Sequence, residues 1–174
     1  MIRVVVTVAV AVALLAASTP ALEDARTATT VDRIETEAER IERAAGGVAA
    51  GSIAVDETRL AASAGHRVHA PSGFAAAPIH RLTLANVADV EDGSVGGASM
   101  SVEVEAHDPA IDVVLIYRLR DGPARMVPVH NPSDAIGLTV SDGPLELRTA
   151  GASRIGFRLL DSDDGPTVRV LQTG

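Results

Sequence analysis

The chain has 174 residues, a formal net charge of −8 and no cysteine, so it fits one modest domain with additions and has no disulfides or thiol chemistry. Every basic residue is Arg, and only Phe74, Tyr117 and Phe157 are aromatic. That balance argues against nucleic acid as a partner, because phosphate binding relies on clustered cations and single strands stack on aromatic rings, and the net charge also disfavours anionic lipid surfaces for the soluble part.

The first element is apolar. Met1-Ile2-Arg3 precedes an uninterrupted weakly polar-to-apolar run over residues 4–17, with Thr7 in it, then come Ser18-Thr19-Pro20-Ala21 and the polar start Glu23-Asp24. Residues 1–22 read as a transmembrane anchor or a signal peptide. A helix over residues 4–22 spans about 28 Å, close to the roughly 30 Å hydrocarbon core. Arg3 before it, with Glu23 and Asp24 after it, puts the N-terminus in the cytoplasm and the remainder outside, as a single-pass membrane protein. The alternative is cleavage after Ala21, with Thr19 and Ala21 as the small residues of the site, which leaves a secreted domain.

Residues 23–50 carry a helical period. Val31, Ile34, Ala38, Ile41, Ala45 and Val48 fall at alternating spacings of three and four, an a/d seam. Arg33 with Glu37, and Glu39 with Arg43, stand at the i,i+4 spacing that supports a helix. Gly46, Gly47 and Gly51 weaken its end. If the apolar segment is retained, the two helices form one spine bent at Pro20. The seam has two readings: it packs on the chain's own β domain, or it is an interaction seam for a second copy or a helical membrane partner.

From residue 51 to 174 the period becomes two, and the segment reads as a β-rich extracytoplasmic domain. Residues 61–77 are rich in Ala, Gly, Ser and Pro and read as a long loop. Strands are expected at 79–84, around Met100, Val102 and Val104, at 111–119, 125–130, 136–140, 145–148, 153–160 and 167–171. The 111–119 strand is apolar on one face and partly so on the other, which suits a central position. Asp-Gly-Pro recurs at 121, 142 and 164; Asp-Gly supplies positive φ for tight hairpins and Pro opens the next strand. The expected class is α+β: an N-terminal helix followed by a mainly antiparallel β domain, a hairpin meander forming a sandwich or a single sheet on the helix.

No chemical motif stands out. His66 and His69, with His80 further on, lie in a Gly- and Pro-rich setting that opposes a helical zinc pair. Asp161, Asp163 and Asp164 precede Gly165, but the position six places after that Gly, where a calcium loop needs a bidentate Glu, is Leu171. Ser153 does not match a nucleophile elbow, and no phosphate-cradling Gly-rich loop occurs. We therefore expect no catalytic, cofactor-binding or metal residues. The excess of short carboxylates with Arg in place of Lys fits a halophile's surface, soluble where molar salt screens charge to about 3 Å.

The apolar start through Arg26, and SDGPLELRTAG with RIGFRL at residues 141–159, resemble an uncharacterised family of short haloarchaeal membrane-associated proteins. That resemblance implies a setting beside pilus-like or secretion-like components and carries no functional residues with it. The layout is also similar to pilin-like subunits, but no basic leader ending in Gly precedes the apolar run and position 5 is Val rather than Glu. The function expected is that of a non-enzymatic, membrane-anchored accessory.

Overall fold

The computed structural model describes residues 2–92, 95, 108, 110–120, 122–163 and 165–173. One helix, α1 (Ile2–Ala50), takes up the whole N-terminal part, with Pro20 inside it. At 1.5 Å per residue it is about 73 Å long. Its two halves are helical for different reasons. The β-branched Val residues of the first half are poor helix formers in water, whereas a helix of that composition suits lipid, which would leave each backbone polar group no other partner. The second half is built from Glu, Arg and Ala, reinforced by the Arg40–Glu37 and Arg43–Glu39 pairs. The helix ends at Ala50, the bound expected from the seam, with Gly46 and Gly47 inside its last turns.

Among the described residues eight strands follow: β1 (Ser63–Ala70), β2 (Ile79–Asn86), β3 (Val113–Leu119), β4 (Ala124–Val129), β5 (Gly137–Val140), β6 (Leu145–Glu146), β7 (Gly151–Ser162) and β8 (Gly165–Gln172), with a short helix α2 (Val87–Glu91) after β2. They make two four-stranded sheets, β1-β7-β8-β5 and β4-β3-β2-β6. Pairing is antiparallel except between β5 and β8. The class is α+β, and the β part is a sandwich.

The second half of α1 lies against β1 and β4, the edge strands on one side of the sandwich. Ile34, Ala38, Ile41, Ala45 and Val48 are buried there in one cluster with Leu84, Leu115, Ile155, Phe157 and Val168, and Val31 packs half-buried at its margin. The seam is therefore the head's own core and is not open for docking. Residues 23–50 and 51–174 share that core. The opposite side of the sandwich is closed by a side chain. Asn86 of β2 accepts a hydrogen bond from the Val140 N–H at 2.7 Å and donates to its carbonyl at 3.2 Å, standing in for a neighbouring strand beside β5. A second apolar cluster, Ala85, Val95, Val114 and Ile116, covers the outer face of β2 and β3.

The 61–77 segment is not a loop throughout. Residues 63–70 form β1, paired with β7 from Ser63↔Arg158 to Ala70↔Gly151. Of the Asp-Gly-Pro turns, those near 122 and 164 close the β3–β4 and β7–β8 hairpins, but the one at 142–144 carries the chain from one sheet to the other. There Asp142 (φ 62) and Gly143 (φ 87) both take positive φ. The strand expected around Met100 lies outside the described residues.

Candidate functional site

The helix carries two environments along one axis. On its first half Val6, Val8, Val10, Val12 and Leu14 are all exposed, and α1 is long and apolar enough to cross a membrane. On its second half, from Thr30 onward, the inward face is buried. The head is thus joined to the apolar rod through its own core.

Three polar residues of α1 fasten the helix to the strands it covers. Thr30 Oγ1 accepts from the Ala77 N–H at 2.8 Å. Glu37, nearly buried, accepts from the His69 N–H at 3.2 Å and pairs with Arg40. Glu42 Oε1 accepts from the His130 N–H at 2.8 Å and meets its Nδ1 at 2.7 Å. Carboxylates thus take up backbone donors at the open edges of β1 and β4, which would otherwise invite another strand. These contacts also orient the head: the 71–78 connection and the β3–β4 turn lie toward the apolar half of α1, while residues 51–62, α2 and the β7–β8 turn lie at the far end.

The surface charge is segregated. On the outer face of the β1-β7-β8-β5 sheet, Arg67 stands directly opposite Arg154, and Arg158 opposite Arg169. Gly65 and Gly156 lie between the two pairs, and no Asp or Glu alternates onto that face over residues 63–70, 151–160 or 167–172. Like charges placed opposite one another destabilise a sheet, so two such pairs make a surface suited to an anionic partner, although Glu146 shares a cleft with Arg67 and Arg154 at its margin. The far end is mainly acidic: Asp56, Glu57, Asp92, Asp134, Asp161 and Asp163 are all exposed there, beside Arg59. Sequence reasoning missed the arginine face because its residues come from three separate strands; only the Arg-x-x-x-Arg spacing at 154 and 158 hinted at it.

The weaker chemical candidates are dispersed. His66 and His69 lie on a strand, so three residues put them on opposite faces. His66 sits beneath α1 with its Nε2 buried and unpaired. Burial lowers its pKa from the usual 6.5, with Arg40, His69 and Arg43 adding to that and Glu37 opposing it. His80 is exposed on β2. Asp161 and Asp163 flank a hairpin tip where the Ser162 hydroxyl donates to the Gly165 carbonyl at 2.7 Å, and Asp164 is outside the described residues. Among the described residues no three His, Asp or Glu side chains converge as a metal cluster. The Ser153 hydroxyl accepts from the Arg148 N–H at 2.8 Å, a structural role.

A family described as a domain of unknown function, DUF7311, matches residues 1–173. No curated protein and no solved structure matches the chain.

Proposed function

The chain belongs to the DUF7311 family, and from its geometry we propose that it is a non-enzymatic, membrane-anchored interaction protein. The observation that carries this reading is α1 itself: a single helix with an exposed apolar first half and a second half that is the core of the head. A domain fixed in this way moves only with its anchor. It holds a defined surface at a fixed height above the bilayer, which is what an accessory of a pilus-like or secretion-like apparatus requires. Arg3 on one side and Glu23 and Asp24 on the other support a cytoplasmic N-terminus and an extracytoplasmic head. With the seam buried, the surface offered to a partner is the arginine face of β1, β7 and β8. The acidic far end fits a halophile's solvent-facing surface.

The test is the mass of the native N-terminus together with labelling of whole cells. The natural chain has no cysteine, so Ile53→Cys gives a single thiol at a position 86% exposed. An undivided chain, labelled on intact cells by an impermeant maleimide, supports the reading. A chain beginning at Leu22 would instead indicate secretion, since the buried face of α1 starts at Thr30 and survives that cleavage intact.

A further inference from the structure

The anchoring reading places a bilayer just below the head, and the structure there is specific. Leu22 ends the 4–22 anchor segment, and Arg26 follows one helical turn later, about 6 Å along the axis. That distance lies within the headgroup layer, which adds roughly 5–8 Å to each side of the hydrocarbon core. The Arg26 guanidinium lies 4.3 Å from the centre of the Phe74 ring. Phe74, carried on the 71–78 connection, is 80% exposed, whereas Phe157 and Tyr117 are buried. Arg26 Nε is itself buried and unpaired. Beside this pair is a cleft of about 470 Å³ whose lining includes Arg26, Arg120 and Arg125, with Glu23 and Asp24. Arg118 and Arg148 are exposed toward the same end of the strands, and Arg81, directly opposite Arg118, is held by Glu146 at 2.7 Å. The net charge of −8 conceals a rim on the membrane side that, among the described residues, carries more guanidinium than carboxylate.

We propose that the head is seated on the bilayer, with Phe74 inserted at the interface and Arg26, Arg120 and Arg125 engaging phospholipid headgroup phosphates. The proposal rests on the anchoring reading. An aromatic ring gains at the membrane–water boundary, guanidinium binds phosphate in a fork that ammonium lacks, and basic side chains near an anionic leaflet are drawn to it. The seat would fix the head's rotation about the stalk, and with it the direction in which the arginine face of β1, β7 and β8 points.

The chain has no Trp, so one substitution gives a unique reporter. Phe74→Trp, Val10→Trp and Ile53→Trp are made separately in the full chain and reconstituted into vesicles of phosphatidylcholine with phosphatidylglycerol, with and without brominated acyl chains. Bromine quenches only fluorophores at membrane depth. Tryptophan at 74 should lose about half its emission or more, as an interfacial ring does, tryptophan at 10 should be quenched more strongly, and tryptophan at 53, at the far end, should be unaffected. Quenching at 10 but not at 74 overturns the seat and leaves the anchor standing; no quenching at 10 overturns both. In the Phe74→Trp background, Arg26→Gln, Arg120→Gln and Arg125→Gln together should reduce quenching at 74. Quenching at 74 unchanged by those substitutions, or abolished by millimolar inorganic phosphate, overturns the assignment to lipid headgroups.

Discussion

Ile41 is the most informative single perturbation, because it separates a core seam from a docking seam. The side chain is 0% exposed, between the two sheets. Truncation to Ala deletes three carbons, worth about 2.4 kcal/mol of transfer free energy at about 0.8 kcal/mol per buried group. The cavity left behind adds to this, because a helix clasped at Thr30, Glu37 and Glu42 cannot settle far into it. We expect a loss of about 3–4 kcal/mol, a large share of a typical domain's stability. Tyr117 is the sole tyrosine, is buried in β3, and has no Trp to mask it, so its emission reports unfolding of the sandwich. With a urea slope of about 2 kcal/mol/M, the midpoint should fall by about 1.5–2 M for Ile41→Ala in the detergent-solubilised full chain. Val31→Ala, at the half-buried margin, should cost well under half as much. A cost for Ile41→Ala below about 1 kcal/mol would refute the assignment of the seam to the core.

Asn86→Ala should cost about 2–3 kcal/mol in the same assay, since it leaves the Val140 N–H and carbonyl without their partner; a neutral result would mean that β5 does not depend on it. Arg158→Thr should raise the urea midpoint slightly at low salt, by up to about 1 kcal/mol of stability, by removing one like-charge pair from the sheet. A loss of stability would show that the pair is already neutralised. The lowered pKa of His66 has a definite sign: the unfolded chain takes up its proton near pH 6.5 while the folded one resists, so the His66 contribution is complete above that pH and declines as pH falls below it. The midpoint should drop between about pH 7.5 and pH 5.5, and His66→Phe should remove part of that slope; an unchanged slope contradicts the burial of the ring.

Much of the fold was legible because its signals are local. The period of three and four at Ile34, Ala38 and Ile41 marked the helix face, and the apolar run 113–117 marked an interior strand, buried at every one of those positions. β1 was hidden because Ser63-Ala64-Gly65 carries no hydrophobic pattern; the strand is held by its ladder to β7 and by the helix above it, both distant in sequence. The turn at 142–144 has the same residues as a hairpin, and only the strand it leads into decides that it changes sheets. Gly46 and Gly47 are weak helix formers, and packing of Ala45 and Val48 on the sandwich carries the helix past them to Ala50, as the period of the seam implied. The arginine face and the rim toward the apolar half of α1 are assembled from separate strands and loops, so composition does not reveal them and spacing offers only the Arg154–Arg158 hint.

The central claim is that the apolar half of α1 stays in the bilayer with the head attached. Alkaline carbonate extraction of membranes from the native cell tests it most directly. The undivided chain of 174 residues should remain in the washed membrane pellet, and its recovery, still undivided, in the soluble cytosolic fraction would contradict the claim.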